Sequence, residues 1–402
     1  MKKHLVIIGG GFAGFWSAMS AIRQSREIQK RKEVEITLIN PDNFVTLRPR
    51  LNELSLVGQQ FELDKYLKPL RIHQIVGRVE LISPEKQEAV VSTRQGLRTL
   101  YYDYLILSSG SSLALPDLHG LGHTFNINSF DNVRRLEDHM IELAKGSFLE
   151  KGATTFVVVG SEFSGLEAVV DIEQKARTIQ AYYSEKKSDF RTILIESERR
   201  IASSFSKDCV RYIEYMLRSK SVEVISNNQI TAIYPDSVVL QDGSQISTRT
   251  AIWTKGLAAS SITQFFKSKK DETNRLNVDS FLKLPGYDNI IAAGGVAHTG
   301  DDHEESSILD CHYAQLEGRW AGHNAINDMF GMELKKYILP AYSTCVDLGD
   351  PETLQTNEVD RNLQKKRYNE RAIEAYINKA TIYPWRDVEE TVKASSPEIP
   401  KF

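Results

Sequence analysis

The stretch LVIIGGGFAGFWSAMSA, residues 5–21, runs an apolar strand into three glycines and then into a helix of small residues. A second version, FVVVGSEFSGLEAVV at residues 156–170, repeats that order but carries Glu162 where the first has Gly11. A strand that passes through a glycine turn straight into a helix is the opening of a βαβ unit shaped around nucleotide phosphates. Two such openings in one 402-residue chain restrict it to architectures with two nucleotide-type units.

Gly9, Gly11 and Gly14 stand at G-x-G-x-x-G spacing. The first permits the tight turn, the second lets the backbone approach a pyrophosphate, and the third lets helix and strand pack closely; the helix N-terminus offers its free N–H groups to the anion. The expected second strand, VEITLIN at 34–40, ends in Asn40 where a carboxylate would ordinarily take ribose hydroxyls; an asparagine still donates and accepts hydrogen bonds there. In the second unit Gly160 and Gly165 are in place, but the Glu162 side chain blocks the close approach and sets its charge against a phosphate. Glu162 also falls in a helix's first turn, where a carboxylate favours the dipole. Glu196, ending ILIES, stands where a ribose-binding acid belongs and favours NADH over NADPH, while Arg199 and Arg200 beyond it offer an alternative partner for a 2'-phosphate.

The periodicity predicts a strand over 4–9, a helix over 12–30, an antiparallel meander over 74–102 and a buried strand in YDYLILSSGSS. The order repeats: strand from 154, helix from about 162, strands at 191–197 and 222–226, a meander, and a strand at 250–256. One further strand within 284–297 would close the first unit, so the second is inserted in the first. The expected fold is α/β, with two Rossmann-like dinucleotide-binding domains plus a small C-terminal α+β region. Residues 1–118 with 262–331 form the first domain, 119–261 the second and 332–402 the cap. Within that cap NLQKKRYNERAIEAYINKA reads as a charged helix docked on the surface rather than a membrane anchor, which leaves peripheral membrane contact open.

A net charge of −3 with no basic block excludes a nucleic-acid footprint. No apolar run reaches the length of a membrane span, and the first strand starts too early for a signal peptide. The three cysteines, Cys209, Cys311 and Cys345, form no CxxC, which points to a cytoplasmic setting and away from thiol–disulfide chemistry. A homodimer stays open.

The segments IIGGGFAG, ITLINPDNFVTLRPRLNE, YLILSSGSSLALPDLHG, VVVGSEFSGLEAV, AIWTKG, IIAAGGVA and CHYAQLEGRWAGHNAI stand in the order of the two-dinucleotide-domain flavoproteins. Among these the chain most resembles the type II NADH dehydrogenase branch. The resemblance implies FAD on the first domain, NAD(P)H on the second and the flavin ring between them, near Gly294 and the helix around 311–325. It assigns cofactor contacts to Gly9, Gly11, Phe12, Ala13, Gly14, Asn40, Arg48, Arg50, Val79, Ser109, Gly110, Gly294 and Gly295, and to Gly160, Glu162, Gly165 and Glu196 in the second unit. It places Glu167 one turn beyond the second motif, near the nicotinamide, and His312 near the flavin as acid or base. Lys255, in place of the usual small residue, is expected beside the flavin as well, meeting a carboxylate from substrate or from Glu162.

Departures accompany the matches. Gly295 replaces the aspartate expected after Gly294, and Cys311-His312 replaces a segment that ordinarily carries a glutamine. His298, Asp301, Asp302, His303, Glu304 and Glu305 have no spacing of a defined metal site, so no metal is expected. The leading reading is an FAD-dependent oxidoreductase moving electrons from NAD(P)H to a quinone-like or small organic acceptor. A repurposed flavoenzyme acting on its own small substrate without NAD(P)H, and a non-catalytic scaffold with decayed cofactor sites, stand beside it.

Overall fold

The protein is described from a computed structural model over residues 2–53, 55–184, 187–300, 311–338, 343–349, 353–357, 362–366, 384 and 387–398. The chain begins with Lys3–Ile8 (β1), Phe12–Glu27 (α1), Val34–Asn40 (β2), His73–Ser83 (β3), Glu88–Thr93 (β4), Gly96–Tyr101 (β5) and Tyr104–Leu107 (β6). Ser111–Leu113 (β7) leads out of this unit. Then come Phe130–Lys145 (α2), Thr155–Val159 (β8), Phe163–Tyr183 (α3), Arg191–Ile195 (β9), Lys207–Ser219 (α4), Glu223–Ile225 (β10), a three-stranded meander over 230–247 and Thr250–Trp253 (β11). Leu257–Ala259 (β12) returns to the first unit, which is completed by Ile290–Ala292 (β13) and Cys311–Met329 (α5).

The first sheet has the order β13-β6-β1-β2-β3-β4-β5, parallel through β3 and antiparallel beyond it. The second, β10-β9-β8-β11, is parallel throughout. Parallel strands are covered on both faces and therefore read as continuous apolar runs; Leu5 to Ile8 and Phe156 to Val159 are all buried. Since β13 pairs with β6 although the whole second sheet lies between them in sequence, the second fold is inserted in the first. The crossing is a two-stranded ribbon, β7 antiparallel to β12 with Leu113 opposite Leu257, which ties the exit and return segments together.

Helix α1 ends at Glu27, three residues short of expectation, because Gln29 takes φ +58° and the polar run from Gln29 to Glu33 has no apolar face to bury. Helices α1 and α5 pack with backbones in near contact: a Cβ on Gly318 would sit 2.3 Å from the Ala13 carbonyl oxygen, and one on Gly322 2.2 Å from that of Ser17. Ser20 Oγ donates to the Arg319 carbonyl at 2.6 Å across the same seam.

The tail differs from expectation. Asn362–Lys366, the opening of the expected charged helix, is a strand (β16) in an antiparallel sheet with Ser343–Asp347 (β14) and Thr353–Asn357 (β15). Pairing with β15 satisfies this backbone as a ladder, and that tertiary context overrides the helix propensity of the charged run. Residues 367–380 of the expected helix lie outside the described residues. Val388–Ala394 (α6) is capped by Asp387, whose side chain accepts from Glu390 N. No helix among the described residues is long and apolar enough to cross a membrane.

Candidate functional site

The two glycine turns are built alike. Gly9 and Gly160 both take positive φ, +103° and +105°, a region that excludes most side chains. A Cβ on Gly14 would fall 1.7 Å from the Gly9 carbonyl oxygen, and one on Gly165 1.9 Å from that of Gly160. Ser108, after β6, donates its hydroxyl to the Ile8 and Gly9 carbonyls; Thr254, after β11, does the same to Val159 and Gly160. At the end of the neighbouring strand Asn40 Oδ1 accepts from Gly10 N at 2.8 Å, and Glu196 Oε2 accepts from Ser161 N at 3.0 Å. Asn40 and Glu196 are therefore turn-bracing residues before they are anything else.

The copies part company at the N-caps. Gly11 caps α1 in an extended conformation open to any residue, φ −70° and ψ −163°, and a Cβ there would meet nothing within 4 Å. The glycine serves space rather than conformation, leaving an open cradle before uncapped helix N–H groups, which fits a pyrophosphate. Glu162 caps α3 with nearly the same backbone, φ −84° and ψ −175°, and its carboxylate accepts from the Ser204 hydroxyl in the loop after β9. That bond ties the N-cap of α3 to the loop after β9.

Around the first turn, Phe12 packs against Leu47, and Ala13 touches the space a Cβ on Gly294 would fill, at 2.8 Å. Gly294, at φ +73°, donates its N–H to Glu317 Oε2 at 2.5 Å; Glu317 is almost fully buried. A Cβ on Gly295 would come within 3.0 Å of Ser111 N, so the β6–β7 bend itself crowds the position where an aspartate was expected. Ser109 Oγ meets Ser260 Oγ at 2.6 Å, and Gly110 accepts from Ser260 N. Arg48 donates to Ser111 O and Oγ and to Asn128 Oδ1. Arg48, Gly110 and Gly295 thus converge on Ser111, while Ser109 and Gly110 meet Ser260; this gathers four predicted residues at the junction of the folds.

Others fall elsewhere. Arg50 is clamped by Glu53, its Nη2 at 2.7 Å from Oε2, as an ion pair within the loop. Val79 is buried in the core. Glu167 faces the C-terminal sheet and accepts from Asp347 N at 3.4 Å. His312 and Cys311 begin α5, but their side chains lie outside the described residues, as do Asp301 to Glu305. Among the described residues no cluster of metal-ligating side chains occurs.

Lys255 is the largest departure. It does not meet Glu162: its Nζ lies 2.5 Å from Glu196 Oε1 and 2.7 Å from Ser197 Oγ. Gly160 makes room for its stem, since a Cβ there would strike Lys255 Cγ at 2.4 Å. Glu196 also accepts from Ser161 Oγ at 2.6 Å, Glu198 N at 3.0 Å and Ser197 Oγ at 3.2 Å. Burial pushes its pKa up, but the Glu198 N–H, the Lys255 ammonium and the Ser161 hydroxyl outweigh that and hold it at about 2. Sequence reasoning did not pair Lys255 with Glu196, since nothing local signals a contact across 59 residues. It also passed over Asp42. That exposed carboxylate, oriented by Asn40 Nδ2 and Phe44 N through Oδ1, stands two residues past the missing acid. A cleft of about 430 Å³ between residues 55–57, α2 and α3 holds the Lys175–Glu137 ion pair and none of the predicted residues.

Two dinucleotide folds joined by a ribbon, with an open phosphate cradle in the first, define the two-domain flavoprotein oxidoreductases as the class. Residues 3–318 match the family model described as pyridine nucleotide-disulphide oxidoreductase. An NADH dehydrogenase-like protein of Mycobacterium tuberculosis is 30% identical over 383 residues, spanning 95% of this chain and 94% of that one. A type II NADH:quinone oxidoreductase of Haemophilus influenzae is 22% identical over 73% of each. The solved NDH2 of Plasmodium falciparum in complex with NADH shares the fold, with TM-score 0.78 at 13% identity over 98% of this chain and 97% of that one. The chain belongs to the pyridine nucleotide-disulphide oxidoreductase family, in its NADH dehydrogenase-like branch, and is an FAD-dependent oxidoreductase.

Proposed function

We propose that the protein oxidises a reduced nicotinamide dinucleotide and passes the electrons to a quinone-like acceptor, with FAD on residues 1–118 and 262–331 and the nicotinamide dinucleotide on 119–261. The observation that carries this reading is the duplicated turn: one copy has an open cradle at Gly11, and the other keeps the same backbone at Gly160 and Gly165. When bound, the flavin supplies hydride acceptance and electron release. Gly9 and Gly11 would hold its pyrophosphate against the α1 N-terminus, which Gly14 packs close to the strand, and Asp42 would accept from the ribose hydroxyls that Asn40, already engaged by Gly10, leaves unread. Gly110, Ser111 and Gly294 would border the flavin, and Arg48, held at Ser111 and Asn128, would supply positive charge there. His312 is proposed at the acceptor side. The relatives' names support a quinone as acceptor.

The test is an anaerobic titration of the purified holoprotein. Bleaching of the flavin absorbance by NADH or NADPH, reversed by a water-soluble quinone, is the expected result. Failure of both dinucleotides to bleach a flavin that dithionite does reduce would refute it, and would favour an enzyme acting on its own small substrate.

A further inference from the structure

We infer that Lys255 sets the dinucleotide preference of the second fold: it withdraws Glu196 from ribose recognition and presents a cation there, so that a 2'-phosphorylated dinucleotide binds at least as well as the unphosphorylated one. This rests on the proposed assignment of residues 119–261 to NAD(P)H.

An ionised carboxylate has about four lone-pair sites. Glu196 already accepts from five donors: Ser161 N, Ser161 Oγ, Ser197 Oγ, Glu198 N and Lys255 Nζ. Its side chain is only 4% exposed. A carboxylate that selects the unphosphorylated ribose does so by accepting from its hydroxyls and repelling a 2'-phosphate. Glu196 has no acceptor site left for the first task, and its charge is neutralised at 2.5 Å for the second.

Lys255, by contrast, is 33% exposed and sits at the strand end where the adenosine ribose lies in a fold of this kind. The equivalent residue after β6 is Ser109, which faces Ser260 across the ribbon and not Asn40, so the lysine's reach to the strand end is peculiar to the second copy. Arg199 and Arg200, both exposed in the loop immediately following Glu196, extend the positive edge; Arg200 Nη2 is tied to the Ser203 carbonyl at 2.7 Å, which holds it in that loop.

The experiment measures dissociation constants of NADH and NADPH for the holoprotein by dinucleotide fluorescence, without turnover, for wild type, Lys255→Met, Lys255→Arg and Glu196→Gln. Wild type is expected to bind NADPH at least as tightly as NADH. Lys255→Met removes the cation and leaves the Glu196 charge uncompensated against a 2'-phosphate, which should move the ratio toward NADH by about tenfold or more, while Lys255→Arg keeps the cation and the wild-type ratio. Glu196→Gln loosens the turn that both dinucleotides share, so its readout is the ratio, which should stay at or above the wild-type NADPH-to-NADH value, because the carboxylate does not read the ribose and Lys255 then stands uncompensated. Glu196→Gln also keeps the proposal testable if Lys255→Met fails to fold. A wild type that prefers NADH about tenfold and loses that preference in Glu196→Gln overturns the inference while leaving the proposed function intact. Absence of binding by either dinucleotide to every variant overturns both.

Discussion

Replacing Glu162 by glycine probes the second groove directly. The residue stands where Gly11 stands in the first copy, at an N-cap whose backbone is extended in both, so the change imposes no strain. It forms no side-chain cap on α3, and glycine is itself an acceptable N-cap, so helix stability should fall by only a few tenths of a kcal/mol. What is lost is the carboxylate and its bond to Ser204. A charge pair about 4 Å apart costs roughly 1 kcal/mol in water and about 4 kcal/mol near a protein surface. Glu162 is exposed and engaged by a neutral hydroxyl, which puts the relief toward the lower end, about 1–2 kcal/mol. That corresponds to NAD(P)H binding roughly five- to thirtyfold tighter in Glu162→Gly. Glu162→Gln, which keeps the bulk and removes the charge, should recover only part of the gain. Fluorescence titration of both variants reads the effect. Unchanged affinity in Glu162→Gly would mean that the phosphates never approach this residue, and the repulsion argument would be wrong.

Gly11→Glu should fold, since Glu162 shows the same turn accepting that side chain, yet the purified protein should lose its yellow colour. Asp42→Ala should weaken FAD retention by about tenfold on dilution, the loss of one charge-assisted hydrogen-bonding site. Gly322→Val drives a side chain into the Ser17 carbonyl, where α1 and α5 touch, and should cost about 1–3 kcal/mol by chemical denaturation. His323 accepts from Arg23 inside that seam, and burial, then Arg23, lower its pKa from 6.5 to about 4. A depressed histidine pKa means that the unfolded chain binds more protons between those values, so stability should fall as pH drops from 6.5 toward 4. His323→Asn, which keeps an acceptor and cannot titrate, should flatten that limb of the melting temperature against pH.

The sequence by itself determined the duplicated strand–glycine turn–helix, because the apolar runs and the glycine spacings are local and each has one steric meaning. It also indicated the insertion of one fold in the other, since a further strand within 284–297 was left to close the first unit, and that strand pairs with β6. The ends of the neighbouring strands were located correctly but not their engagements. Asn40 and Glu196 read as ribose contacts, and both are drawn first onto the backbone N–H of their own turn. The pairing of Lys255 with Glu196 and the strand at 362–366 were decided only in three dimensions. Each depends on which partner a distant segment presents. A buried carboxylate takes the nearest donors the fold supplies, and a charged run completes a sheet when an open edge lies beside it; neither choice is written within the few residues that local pattern can read.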